Sequence, residues 1–467
     1  MTLMLSQLAS RPYALPLVLC CVWLCSTHAS ARNFSVQTIS NPSDNSRNPT
    51  IGETGLVAWQ TYLKNENGDD GSQRSVIFMY RNGKIEDVTS GDPRFLRSER
   101  PIVYRDSIAF MAWYRNESTG GFPFQLELPQ KTERMLEMES EYADLFDPPL
   151  AAPVSALEAD AATQESTNQP PEEPEPLPVV VDLNPTNALQ YQNWRGSGKG
   201  GDVTLYHPED GIKRITPGNR HYNFPVISEA GVAFLCARGW PYGYDMVVWK
   251  NGDDKLKQVT ANYFYVLNPN AHGQEVVFQG WDGDDYEIYR YRFDTGQLDQ
   301  ITNNQFDDIS PVVWNGEIAW VAHPTITAEI FHWREGMIRK ISEGTTDNSN
   351  PSIWEGKVSW QGYDDTDIEI YYFNGRRTIK LTSNTWDDIF PKLDAGIIVW
   401  MSYVDNWDSE IMAIDLGDNV AVQITENDVE DVFPQTAGEI IVWQSLAPNS
   451  STILMATPTE KRVGDIN

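Results

Sequence analysis

One strand-like pattern recurs eight times along the chain: an apolar run ends in an aromatic, then one further residue, then a small one. The eight aromatics are Trp59, Phe110, Phe234, Phe278, Trp320, Trp360, Trp400 and Trp443, spaced about 40 to 44 residues apart through the second half. Spacing of that length suits a four-stranded sheet per repeat and is too long for leucine-rich or hexapeptide solenoids. The segments are rich in β-branched and aromatic residues and alternate with period two, which excludes helical repeats of similar length. Such a sheet cannot cover both its faces alone, so the copies must stack about an axis and bury the recurring aromatic between neighbours.

The pattern is cleanest from Asn350 to Thr382. Pro351 opens it, Ser352 to Trp354 form a short strand, and Glu355-Gly356 turns into a second strand, Lys357 to Gln361. An acidic loop from Tyr363 to Asp367 leads to Ile368–Phe373, Asn374-Gly375 supplies a hairpin turn, and Thr378 to Thr382 complete the fourth strand. The same order recurs from Pro225, Pro311 and Pro391. The final copy, around Pro434 to Ala456, lacks a fourth strand, and the segment near Phe34 to Ile39 is expected to supply it. The expected fold is all-β: an eight-bladed β-propeller of four-stranded antiparallel blades over residues 32–467, closed by its N-terminal strand.

Two segments fall outside the repeat. Residues 1–31 read as a cleaved secretory signal: Arg11 precedes an apolar run from Ala14 to Cys25, broken by Pro16, with small residues at Ala29 and Ala31. The run is too short to span a bilayer, no other stretch approaches that length, and a periplasmic or extracellular protein without a membrane span is expected. Residues 116–200 interrupt the second copy between its second and third strands; their Pro-, Glu- and Ala-rich part, about 151–178, is expected to be disordered. Outside the signal only Cys236 remains, so no internal disulfide is available. It occupies the small position after Phe234 and reads as a buried spacer.

Units with an early proline, an aromatic-bearing second strand, an acid followed by Ile-Tyr, and a closing Ile-Thr or Leu-Thr resemble the TolB-type propeller repeat. Glu287, Ile288, Tyr289, Ile301 and Thr302 carry the likeness in one copy; Glu369, Ile370, Tyr371, Leu381 and Thr382 carry it in another. The resemblance implies a partner-binding surface, since that wider group includes periplasmic scaffolds and propellers attached to peptidases or lyases. The eight copies and the acidic insertion depart from the family pattern.

The formal net charge of −31 lacks the basic face that sequence-independent nucleic-acid binding requires. Acids concentrate in two loop classes that open on one face of a propeller. Between second and third strands lie Asp282, Asp285 and Glu287, then Asp364, Asp367 and Glu369, then Asp405, Asp408 and Glu410, at identical spacing. Between copies lie Asp307 and Asp308, Asp387 and Asp388, and Glu430 and Asp431. Such carboxylates either hold turn amides, as Asx turns do, or gather a hard cation such as calcium, bound weakly, or a basic partner. Trp281 and Trp407, with Trp240 and Tyr242, either stack on a ligand or cap blade edges.

No catalytic set is legible. His207, His221, His272, His323 and His332 lack metal-ligand spacing, and no Gly-x-Ser-x-Gly elbow or phosphate loop occurs. The sequence therefore reads as a monomeric, cofactor-free scaffold that binds a protein, peptide or glycan through the acidic face. The alternative is a polysaccharide lyase or hydrolase acting at the central channel, hinted at only by Arg220, His221, Arg238 and Trp240.

Overall fold

Strands follow wherever β-branched and aromatic residues alternate, and no helix occurs among the described residues of this computed structural model, which are 33–63, 74–114, 125–127, 201–216, 221–237, 243–260, 265–343, 347–405 and 408–459. The segment read as a signal, and the insertion apart from Gln125–Glu127, lie outside them. Each sequence repeat forms an antiparallel meander. In the sixth copy the strands are Asn348–Trp354, Lys357–Tyr363, Ile368–Phe373 and Thr378–Lys380. First strands of successive copies touch one another, whereas outer strands such as Lys84–Asp87 and Met337–Lys340 are exposed along their length. The first strands therefore lie inside and the fourth outside, a propeller-type arrangement.

The eight recurring aromatics are all buried, at 0–1% exposure. The choice between Trp and Phe follows from what lies opposite. Trp320, Trp360, Trp400 and Trp443 each donate the indole N–H to a buried acceptor on the first strand: Asp308, Asn348, Asp388 and Asp431, at 2.7, 2.8, 3.0 and 3.1 Å. Where the aromatic is Phe110, Phe234 or Phe278, the residue in the acceptor's register is Ser98, Tyr222 or Val266. A buried indole N–H left without an acceptor costs about 1–3 kcal/mol, and Phe has no such requirement. Trp59 departs from the rule, with Ser46 in that register bonded to Thr61.

The early proline does not open the first strand, as the sequence suggested; it sits inside it. Asn48, Arg100, Phe224, Asn268, Ser310, Asn350, Phe390 and Phe433 each precede that proline, and each has φ between 49° and 58°. Every first strand shifts register at this point. The bulge frees a backbone N–H, and the neighbouring copy caps it. Gln60 accepts from Arg100 N (3.0 Å), Gln279 from Ser310 N (2.9 Å), Gln361 from Phe390 N (2.8 Å), and Gln444 of the last copy from Asn48 N of the first (3.2 Å). Where the residue between aromatic and small position is glutamine, it is thus an inter-repeat fastener.

The strand Phe34–Thr38 pairs antiparallel with Ser450–Pro458, and Asn45 pairs with Ser451, joining the first and last copies in one eight-stranded sheet. Gln125–Glu127, inside the insertion, adds a fifth strand to the third copy, parallel to Lys255–Gln258. That short segment carries no sequence signal distinguishing it from its surroundings. Cys236 is buried. Gly362, at the same small position, has no room for a Cβ, which would stand 2.7 Å from Asn348 Oδ1.

Candidate functional site

The acid-bearing turns are built alike. Asp282 Oδ1 accepts the amides of Asp284 and Asp285 at 3.0 and 3.4 Å; Asp364 Oδ1 accepts those of Thr366 and Asp367 at 3.0 and 3.2 Å. These are Asx turns, each capping the hairpin between second and third strands. The glutamates face inward instead. Glu287, Glu369 and Glu410 accept from Asn304 N, Asn384 N and Asn427 N at 2.6, 3.1 and 2.8 Å. Each asparagine passes the connection on, donating through Nδ2 to Asp308, Asp388 or Asp431 at 2.6, 2.6 and 2.7 Å. Those aspartates hold the indoles of the following copy, so a Glu–Asn–Asp–Trp relay links the fourth copy to the fifth, the sixth to the seventh and the seventh to the eighth.

The expected solvent-facing ring of carboxylates is therefore largely internal. Asp285, Glu287, Asp367, Glu369, Asp408 and Glu410 are buried, as are Asp308, Asp388 and Asp431. Asp282 and Asp364 are half-buried, whereas Asp307, Asp387 and Glu430 remain at the surface or partly so. Asp307 and Asp387 accept the amides of Tyr286 and Ile368, at 3.0 and 2.9 Å. Trp281 is half-buried, edge-on to Tyr286 at 5.4 Å between ring centres. Trp407 lies outside the described residues, as do the side chain of Asp405 and residues Arg220, Arg238, Trp240 and Tyr242.

Two triads bring three carboxylates together: in Asp282–Asp285–Glu287, and likewise in Asp364–Asp367–Glu369, one oxygen of each residue lies within 4.8 Å of the others. Their electrostatics differ. In the sixth copy the Lys380 ammonium enters the cluster, 2.5 Å from Asp364 Oδ2 and 3.2 Å from Glu369 Oε1. Its hydrogen bond holds Asp364 well below the usual carboxylate range. In the fourth copy burial, reinforced by neighbouring acids, pushes Asp285 up to about 7; burial also pushes Glu287 up to about 7, against hydrogen bonds from Thr302 and the Asn304 amide.

A second feature at this end was not singled out from the sequence. The residue after the small position is aromatic in five copies: Tyr62, Trp113, Trp281, Tyr363 and Tyr403. In the first two, a guanidinium of the protein lies over the ring, Arg47 at 5.5 Å from Tyr62 and Arg97 at 3.8 Å from Trp113. Tyr363 and Tyr403 are instead 44% and 39% exposed, joined by Trp386 at 44%. Exposed Asp387 follows Trp386 and connects the other two: its carboxylate caps Ile368, the strand partner of Tyr363, and its carbonyl accepts the Tyr403 amide. The recurrence of an aromatic at one repeat position was the available signal, obscured because Ala237, His323 and Leu446 interrupt it.

No protein-family model and no curated protein sequence matches the chain. Among solved structures it is similar to dipeptidyl peptidase 4 of Porphyromonas gingivalis, at 10% identity and a TM-score of 0.53, covering 90% of this chain and 59% of that one. It is also similar to the β-propeller domain of the Trilobed protease from Pyrococcus furiosus (10% identity, TM-score 0.45, 82% of this chain and 99% of that one). TolB from Acinetobacter baumannii is a third (12% identity, TM-score 0.32, 57% and 78%). The chain thus spans about three fifths of the dipeptidyl peptidase, and the likeness bears on fold alone.

Proposed function

We propose that the chain is an exported, non-enzymatic eight-bladed propeller whose loop end binds a protein or peptide segment carrying cationic side chains. Ring closure is supported by the Gln444–Asn48 fastener and the Phe34–Thr38 pairing with the last copy. Export is supported by the apolar N-terminal run.

The observation that carries the binding reading is the aromatic and acidic patch of Tyr363, Trp386, Tyr403 and Asp387. The equivalent rings in the first two copies already hold arginines, so the position is suited to a guanidinium or ammonium. A cation set over an exposed ring contributes about 0.5–1 kcal/mol, and more once desolvated. Several such contacts beside Asp387 and Glu430 add up to a specific weak interface, favoured further by the −31 net charge.

Peptide libraries containing Arg or Lys, alongside neutral peptides and neutral oligosaccharides, test this on the full chain. Basic peptides should bind with a salt-dependent Kd that Tyr363→Ala with Tyr403→Ala weakens about tenfold or more, the order expected from losing two ring contacts. Binding of the oligosaccharides alone, or of basic peptides unaffected by the pair of substitutions, overturns the reading.

A second reading rests on Lys392. It lies on an inner strand, Asp388–Asp394, forms no ion pair among the described residues, and burial pushes its amine down. A lysine so placed suits proton abstraction in a channel lyase. Turnover of acidic polysaccharides that Lys392→Met abolishes would establish this reading in place of the first.

A further inference from the structure

The eight copies act as internal controls for one another at the loop end of the third strand. Among the described residues, three copies contain a buried carboxylate neutralised by a basic residue from the adjacent fourth strand. Lys380 pairs with Glu369 in the sixth copy, Lys340 with Glu329 at 2.6 Å in the fifth, and Arg214 with Asp202 in the second. Each basic residue stands two positions before a Ser or Thr whose hydroxyl caps the third strand: Thr382, Ser342 and Thr216.

The fourth copy keeps this frame but not the cation. Thr302 caps Ile288 N at 2.8 Å as Thr382 caps Ile370 N at 2.8 Å. Gln300 pairs with Tyr289 in the register in which Lys380 pairs with Tyr371. Gln300 therefore occupies the place of Lys380, is exposed, and carries no charge. Around it stands the same triad, Asp282, Asp285 and Glu287. Asp285 is 8% exposed with neither carboxylate oxygen hydrogen-bonded, and Glu287 is 0% exposed with Oε2 unpartnered. None of the three acids forms an ion pair among the described residues. Buried carboxylates facing one another without a counter-charge are expensive to keep; in the sister copy Glu369 Oε2 is likewise unpartnered, but the Lys380 ammonium neutralises the cluster and Asp367 Oδ1 accepts from the Thr366 hydroxyl, whereas Asp285 has neither.

We propose that Asp282, Asp285 and Glu287 form a divalent-cation site, filled preferentially by calcium, in the position that the Lys380 ammonium fills in the sixth copy. Oxygen-only donors select a hard cation. Calcium accepts irregular oxygen geometry and completes six to eight ligands with water or backbone carbonyls, whereas magnesium demands a near-ideal octahedron. The site stands apart from the Tyr363–Trp386–Tyr403 patch, and its presence does not depend on the binding role of that patch. Its consequence is local: the cation ties the second-to-third-strand turn to the Glu287–Asn304–Asp308–Trp320 relay, and so fastens the fourth copy to the fifth.

The test exchanges the two occupants. Purified full-length protein is stripped with chelator, and calcium binding is followed by titration calorimetry together with the melting temperature. Wild type should bind calcium with a rise in melting temperature, and magnesium more weakly. Gln300→Lys, which supplies the ammonium at an exposed position, should weaken calcium binding at least tenfold and raise the melting temperature of the metal-free protein. Asp285→Asn should weaken calcium binding to a similar extent. Lys380→Gln should open a second site and raise the calcium stoichiometry by one. Met337→Lys, on the exposed outer strand of the fifth copy, controls for the added charge and should leave the affinity unchanged. The assignment fails if wild type binds no calcium at millimolar concentration, if Gln300→Lys and Met337→Lys weaken it equally, or if Asp285→Asn binds as wild type does.

Discussion

Replacing Asp388 separates the work of its two oxygens. Asp388 is 1% exposed; Oδ1 accepts from the Trp400 indole at 3.0 Å and Oδ2 from Asn384 Nδ2 at 2.6 Å. Asp388→Val leaves the buried indole N–H without an acceptor, a loss of about 1–3 kcal/mol, and adds roughly 1 kcal/mol for the Asn384 bond. Asn384 is exposed and can turn to water, so its share stays small. Asp388→Asn keeps an acceptor for the indole, as Asn348 does for Trp360, and should cost only about 1 kcal/mol for the mismatched donors at Asn384. Trp400→Phe removes the donor, at about 1–3 kcal/mol for lost packing. The double variant Asp388→Val with Trp400→Phe reproduces the pairing of Val266 with Phe278 in the fourth copy, and should be more stable than the summed single losses by about 1–2 kcal/mol. Urea denaturation followed by far-ultraviolet circular dichroism measures all four. Strict additivity, or an Asp388→Asn variant as unstable as Asp388→Val, would refute the account of why some copies carry Trp and others Phe.

The choice between Trp and Phe marks how far the sequence is legible. The eight aromatics, the small residue after them and the acid-Ile-Tyr third strand are local patterns repeated in register, and local patterns survive in a linear text. The missing fourth strand of the last copy was legible for the same reason, because Gln37 to Asn48 resembles Arg339 to Asn350. What escaped was relational. Gln361 looks like a variable residue until Phe390 N, 29 residues away, is found resting on it. Asp387 and Asp388 are neighbours in sequence, yet one is exposed beside Tyr403 and the other is buried under Trp400. Counting both as surface charge overstated the acidic face, because strand alternation sends consecutive side chains to opposite sides. Pro351 reads as a strand boundary from sequence because proline cannot donate to a β-ladder; the innermost strand is an edge, and a bulge with positive φ at Asn350 accommodates it. The difference between the two acid triads was present in the sequence as Gln300 against Lys380. It became meaningful only once both were placed in the same register.

The remaining predictions test the fasteners between copies. Gln361→Ala should cost about 1–3 kcal/mol in urea denaturation by leaving Phe390 N–H uncapped, whereas Gln361→Glu should recover most of it; equal losses for both would show that the cap is unimportant. Gly362→Ala should cost about 1–3 kcal/mol, since the new Cβ meets Asn348 Oδ1 at 2.7 Å and the Tyr371 ring at 3.0 Å, and a neutral result would mean that the first strand yields easily. Burial holds the Asp388 carboxyl above its ordinary value, so the folded state keeps this proton after the unfolded chain has lost it. Its contribution is fully present below the unfolded-state value of 3.8 and is lost as pH rises through the folded one. Wild type should accordingly lose stability relative to Asp388→Asn as pH climbs from about 4, and a difference independent of pH would remove burial as the cause. Deleting Asn33 to Ile39 bears on closure. Phe34–Thr38 supplies the outer neighbour of Ser450–Pro458, and Ile39, 1% exposed, donates its amide to Ile453 O at 2.9 Å while packing against Trp59 and Val442. Losing it uncovers the edge of the last strand from Leu454 to Pro458 and removes a core contact between the first and last copies. Burial of that isoleucine alone contributes about 1.5–3 kcal/mol, so the urea midpoint should fall and the truncated protein should associate through the exposed edge, visible as oligomers in sedimentation. A monomeric truncation with an unchanged midpoint would show that the terminal strand decorates the last copy without holding the ring.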